Sequence, residues 1–166
     1  MGGQSTKKGN EFEYMDESKA LETEFNNLKN CPDLPIVKCE YLNNSNKHWK
    51  VCFLGSDCSP YEDGYFVIEF IFKNTFPKNG PEAIFKTKMF HPNVNSDGHI
   101  CINLLNNWNP KYSIVSVFYG ILEIMDHPVA SGGYGNEARN LLEKDEEAFY
   151  RKVEEYTINY AKKELF

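Results

Sequence analysis

Four strand-type runs between residues 36 and 87, joined by short polar links with no helical run among them, constrain this chain more than any other feature. Ile36 to Tyr41 is the first, and Asn43-Asn44-Ser45-Asn46 supplies a turn after it. The second alternates, with Trp49, Val51 and Phe53 on one face and Lys50, Cys52 and Leu54 on the other. The polar stretch from Gly55 to Gly64 leads to a strongly apolar third run, Tyr65 to Phe72, and after Pro77 and Pro81 a short fourth strand fits Ala83 to Thr87. A parallel pair needs a long crossover between its strands, so consecutive strands with short links predict an antiparallel meander.

Helical spacing flanks these strands. After Asp16 and Ser18, either of which suits a cap, Leu21, Phe25 and Leu28 recur at helical intervals, and Cys31-Pro32 ends the run. Ile114 to Met125 is apolar nearly all round, which predicts a helix buried across the sheet. Pro128, Gly132, Gly133 and Gly135 then break the chain before a short helix at Asn136 to Lys144. A last helix sets Phe149, Val153, Tyr156 and Tyr160 on one face. Between the meander and the buried helix, Lys88 to Ser113 has no period, yet it carries Met89, Phe90, Ile100, Leu104, Leu105 and Trp108, enough apolar surface to pin it to a core.

The fold class is therefore α+β: an N-terminal helix, a four-stranded antiparallel meander, a long ordered active-site segment, a buried helix and two C-terminal helices. A flexible extension over residues 1–15 is expected to precede a single domain over 16–166.

Charge and cysteine usage narrow the function. A net charge of −6 gives no basic surface for nucleic acid. The five cysteines include no CxxC pair and are odd in number, which reads as reduced thiols in a cytoplasmic or nuclear setting. Cys39 and Cys52 sit in strands, and Cys31 and Cys58 sit in loops without activating neighbours; Cys101 lies in the aperiodic segment, where a thiol can meet a large partner.

Three chemistries compete for Cys101. Zinc would use His91, His99 and Cys101, but no second ligand pair exists. A cysteine hydrolase needs an oriented histidine, and His99 is only two residues away. An acyl carrier needs an accessible thiol, an oxyanion donor and surroundings that desolvate an amine, without a base that would activate water. An asparagine amide suits the donor role. There is no phosphate-binding GxxxxGK[ST] loop, and Gly132-Gly133-Tyr134-Gly135 reads as a flexible connector.

The runs Tyr61-Glu62-Asp63-Gly64-Tyr65-Phe66, Phe76-Pro77, Phe85-Lys86-Thr87, His91-Pro92-Asn93, Gly98-His99-Ile100-Cys101 and Trp108-Asn109-Pro110 resemble those of the ubiquitin-conjugating enzymes in order and spacing, over roughly residues 18–163. The resemblance implies that Cys101 carries ubiquitin or a ubiquitin-like protein as a thioester, received from an activating enzyme and passed to a substrate lysine, usually with a ligase. It implies that Asn93 stabilises the oxyanion or holds the active-site loop, that His91 and Pro92 support that loop, and that Ser131 gates the lysine. No cofactor is implied, because the activating enzyme uses the ATP. The alternatives are a degenerate relative that binds ubiquitin or a ligase without catalysis, and a conjugating enzyme for a ubiquitin-like modifier.

Departures from the family pattern concern the partners. Gly80-Pro81 replaces a proline pair, Lys78 stands where a bulky apolar residue is common, and Lys111 follows Pro110 where a small one is; Lys78, Pro110 and Lys111 fall on the loops where family ligases dock. The loop Asp126 to Gly133 lacks the family's usual proline-asparagine pattern. In the first helix Glu17, Glu22 and Glu24 outnumber Lys19 and Lys29, either a solvated face or a sign of a different modifier or activating enzyme. Met1-Gly2-Gly3-Gln4-Ser5-Thr6 fits N-myristoylation of Gly2, which with Lys7-Lys8 would give weak membrane association.

Overall fold

The computed structural model describes residues 16–166, so the expectations for residues 1–15, including the Gly2 motif, lie outside the described residues. Asp16 accepts a hydrogen bond from the Ser18 amide (3.2 Å) and opens helix α1, Glu17–Lys29, which buries Ala20, Leu21, Phe25 and Leu28. The strands are β1 (Ile36–Leu42), β2 (Ser45–Leu54), β3 (Tyr65–Ile71) and β4 (Glu82–Phe85), antiparallel throughout and in spatial order β1-β2-β3-β4. The β1–β2 turn is tighter than the asparagine run suggested: only Asn43 and Asn44 stand between the strands, both at positive φ (55° and 54°), a backbone that asparagine tolerates.

The inner face of β2 is as its alternation predicts. Trp49, Val51 and Phe53 are wholly buried, while Lys50 and Leu54 stay half-exposed on the other face. Polar contacts run across that outer face: ion pairs from Glu40 to Lys50 (3.9 Å) and from Glu69 to Lys86 (4.0 Å), and a hydrogen bond between Glu69 and His48 Nε2 (2.9 Å). The C-terminal 3₁₀ turn, Lys163–Leu165, lies beside β3, with the Phe166 ring edge-on to Tyr65 at 5.0 Å.

The aperiodic segment is irregular except for one helical turn, α2 (Asn103–Asn106), too short to show a period in the sequence. Helix α3, Ile114–Asp126, crosses the inner side of the sheet. It buries Ile114, Val117, Phe118, Ile121, Leu122 and Met125, and Phe118 meets Phe53 edge-to-face at 5.0 Å. Its first amide, Ile114 N–H, donates to Glu24 Oε2 of α1 (2.7 Å). Glu24 is thus turned inward as a cap, and Glu17 pairs with Lys47 (2.9 Å). Of the three acids that made α1 look unusual, only Glu22 is left free of such a partner among the described residues.

Helices α4 (Glu137–Lys144) and α5 (Glu146–Tyr160) meet at Asp145, which accepts from the Ala148 amide (2.9 Å). Phe149 and Val153 are buried and Tyr156 half-buried, but Tyr160 is exposed, so the apolar face of α5 is shorter than expected; Lys88 Nζ stands 4.8 Å over the Tyr160 ring instead.

Candidate active site

Beyond β4 the chain leaves the sheet and is held by side chains. The Thr87 hydroxyl accepts from Val67 N–H (2.9 Å), and the buried Tyr61 hydroxyl donates to Phe90 O (2.7 Å). A tight hairpin follows: Asn95 Oδ1 accepts from the amides of Asp97 (3.0 Å) and His99 (2.9 Å), and Phe85 N–H donates to Gly98 O (2.8 Å). Val94 and Ile100 are bridged across it, and Cys101 N–H closes it by donating to Asn93 O (2.8 Å). This turn brings the Asn93 side chain to Cys101 across eight residues of sequence.

His91 is 1% exposed, and both ring nitrogens are occupied. Nε2–H donates to Ile124 O at the end of α3 (2.6 Å), and Nδ1 accepts from Asn93 N–H (2.8 Å). Burial drives its pKa down to about 4, against a smaller upward pull from the Ile124 carbonyl, so the ring is neutral at physiological pH. Such a histidine fixes the loop to α3 and has no free nitrogen for proton transfer. Pro92 beside it is buried.

The Asn93 amide donates from Nδ2 to the backbone oxygen of Cys101 (2.8 Å). In this arrangement it holds the cysteine's backbone and is not aimed at the sulfur; its Oδ1 is buried and finds no donor among the described residues. The Cys101 side chain is half-exposed at an open cleft of about 450 Å³ lined also by Asn93, Asn106, Ser131, Gly132 and Gly133. No histidine lines this cleft. In the sheet, burial pushes the Cys39 thiol up to about 12 and also raises that of Cys52.

Three features of the site were not read as such from the sequence. Asn106, the last residue of α2, directs Nδ2 at Cys101 Sγ (3.2 Å). Asn136 caps α4 by accepting from Arg139 N–H (2.9 Å), while its Nδ2 donates to His91 O (3.0 Å) and Val94 O (3.1 Å). The glycine loop is also more than a flexible connector: at Gly133 (φ 68°) a Cβ would stand 2.7 Å from Pro92 O, and Tyr134 N–H donates to that same oxygen (2.9 Å). Only the asparagine-capped start of α4 gave a signal, as the helix-initiating residue after the glycines.

Ser131 is exposed and lines the same cleft as Asn106. Lys78, Pro110 and Lys111 are exposed on two loops that Trp108 ties together, through Nε1–H to Pro77 O (2.8 Å) and a ring 6.0 Å from that of Phe76. Gly80 is what lets Trp108 lie there, since a Cβ would come within 2.6 Å of the indole. The replacement of proline by glycine at this point has a packing reason.

Comparison with known proteins agrees with this geometry. Residues 20–157 match the family model described as ubiquitin-conjugating enzyme. The chain is 31% identical over 131 residues to ubiquitin-conjugating enzyme E2 13 of Saccharomyces cerevisiae, covering 78% of this chain and 86% of that protein. Its fold is similar to that of a ubiquitin conjugating enzyme E2 domain from Toxoplasma gondii, with a TM-score of 0.79 at 24% identity, over 88% of this chain and 99% of that one. The chain belongs to the ubiquitin-conjugating enzyme family.

Proposed function

We propose that this protein accepts ubiquitin or a ubiquitin-like protein from an activating enzyme as a thioester on Cys101, and transfers it to a lysine of a protein substrate with the help of a ligase. The observation that carries the reading is the environment of the thiol. Cys101 is half-exposed on an open cleft whose lining includes asparagine amides, a serine and three glycines, but no histidine. In loading, the Cys101 thiolate attacks the carbonyl carbon of the activating enzyme's thioester, and that enzyme's sulfur leaves with the electron pair. In discharge, the lysine nitrogen attacks the new thioester, the C–S bond breaks, the sulfur of Cys101 takes the pair, and the nitrogen loses its proton to solvent. Neither step requires a base strong enough to activate water, and a neutral, doubly bonded His91 supplies none.

Asn93 and His91 support the loop in this reading, with Pro92 between them. The exposed Ser131 on the cleft rim is suited to meet the incoming lysine. The two loops joined by Trp108 are the proposed ligase surface, and their lysines, Lys78 and Lys111, favour a ligase with acidic residues at the matching positions. The chain needs no cofactor of its own, since the activating enzyme uses the ATP, and it works in the cytoplasm or nucleus, with membrane association only if Gly2 is acylated. The inward-turned Glu24 and paired Glu17 weaken the case that α1 signals a different modifier.

Incubation with activating enzyme, ATP and either ubiquitin or a panel of ubiquitin-like proteins tests the proposal. An adduct of one modifier mass that thiol reductant removes, and that Cys101→Ala abolishes, is the expected result. No adduct with any modifier would reduce the protein to a non-catalytic binding module.

A further inference from the structure

Asn93, the one asparagine that the sequence brought to Cys101, commits its amide nitrogen to the cysteine's backbone oxygen (2.8 Å). The side-chain amide that meets the sulfur is another, Asn106 Nδ2, at 3.2 Å. Asn106 is anchored for this contact. It ends the single turn of α2, and its own backbone N–H donates to Ile102 O (3.0 Å), next to Cys101 in the chain. Asn107 braces the turn from outside by donating to Asn103 Oδ1 (2.6 Å). The amide and the thiol also share the same cleft.

We propose that Asn106 is a catalytic residue of this protein, donating an N–H hydrogen bond to the Cys101 sulfur whenever that sulfur carries negative charge. The inference rests on the thioester reading above. Sulfur is charged at two moments: as the thiolate that attacks the incoming thioester, and as the leaving group when the C–S bond breaks under attack by lysine. An amide donor at 3.2 Å favours both charged forms over the neutral thiol and the thioester, in which the sulfur is a poor acceptor. An asparagine does this without being able to take a proton, so it speeds transfer to an amine without activating water. Asn93 and Asn106 thus divide two tasks: one amide holds the cysteine's backbone, the other faces its reacting atom.

Alkylation of the free thiol by iodoacetamide isolates this contact, because it needs neither modifier nor activating enzyme. The measurements use the full chain with Cys31, Cys39, Cys52 and Cys58 followed separately by peptide mass. At pH 7, Asn106→Ala is expected to slow alkylation of Cys101 about tenfold, and Asn106→Asp, which keeps the shape but replaces the donor with a carboxylate, to slow it further. At pH 10 the difference should shrink towards zero, as the thiol ionises without help. Asn140→Ala, which removes an exposed amide on α4 outside the cleft, should match the unaltered protein.

Discharge of preloaded protein to free lysine should slow by a similar factor in Asn106→Ala. Equal alkylation profiles for Asn106→Ala and the unaltered protein would overturn the proposal. A shifted profile with unchanged discharge would overturn the catalytic role. A shifted profile in a protein that loads no modifier would leave the thiol contact standing and overturn the conjugating reading on which the role depends.

Discussion

In the meander, a continuous backbone ladder holds the chain; in the segment that follows it, the ladder gives way to isolated bridges and side chains supply much of the hold. Every residue of β3 from Tyr65 to Ile71 has a partner on β2, and four of them have one on β4 as well. From Thr87 to Cys101 backbone pairing shrinks to isolated bridges and turn bonds, and the anchors added to them are the Thr87 and Tyr61 hydroxyls, the His91 ring and the amides of Asn93, Asn95 and Asn136. A ladder spreads its energy over many equivalent bonds, so that no single one matters much. The side-chain net rests on a few bonds, each from one residue type at one place. The meander should therefore lose stability when its packing is damaged yet keep its site, whereas the segment should lose its site from changes that scarcely touch global stability.

The largest effect expected tests the first half of this contrast. Phe53 is fully buried and meets Phe118 (5.0 Å), Phe66 (5.8 Å) and Phe85 (6.3 Å) between ring centroids. Phe53→Ala should cost about 3–5 kcal/mol in urea unfolding, while the folded fraction alkylates at Cys101 at the original rate. An altered rate in the folded protein would mean that sheet packing and site geometry are coupled after all.

His91 comes next, because it links the segment to α3 and carries a pH signature. Its folded pKa of about 4 lies below its ordinary 6.5, so unfolding takes up a proton between those values. The stability it confers is therefore complete above about pH 6.5 and lost as pH falls towards 4, a change on the order of 3 kcal/mol. His91→Gln should lower stability at pH 7.5 but flatten the decline between pH 6.5 and 4.5, measured as urea midpoints at stepped pH. Parallel declines in the two proteins would show that the buried ring is not the source.

Asn136 offers the smallest change in stability with the sharpest change at the site. Asn136→Asp keeps the acceptor that caps α4 but sets a carboxylate against the oxygens of His91 and Val94. About 1–2 kcal/mol of global stability should go, with faster hydrogen exchange at the amides of Asn93 and Val94 and slower loading of Cys101. Unchanged exchange there would show that the segment does not depend on this amide.

The same contrast explains how much could be read beforehand. The strands, α1, α3 and the start of α4 announced themselves through period and capping residues, because their order follows from local pattern and burial. The resemblance supplied Cys101 and Asn93 as a pair, and the tight hairpin at Asn95 explains how they meet. Asn106, Gly133, the inward Glu24 and the reach of Asn136 Nδ2 to the segment were silent, since each acts through contacts to residues elsewhere in the chain, or across a turn too short to carry a period. A polar side chain in a loop looks the same in sequence whether it faces water or a carbonyl.

The central claim is that the Cys101 sulfur is the carrier, and Cys101→Ser tests it most directly. With activating enzyme, ATP and the modifier that loads the unaltered protein, intact mass should rise by one modifier. In the unaltered protein reductant removes the adduct; in Cys101→Ser it should resist reductant and fall to hydroxide, as an oxygen ester does, with peptide mass placing it on residue 101. A reductant-sensitive adduct persisting in Cys101→Ser would contradict the account, because another thiol would then be the carrier.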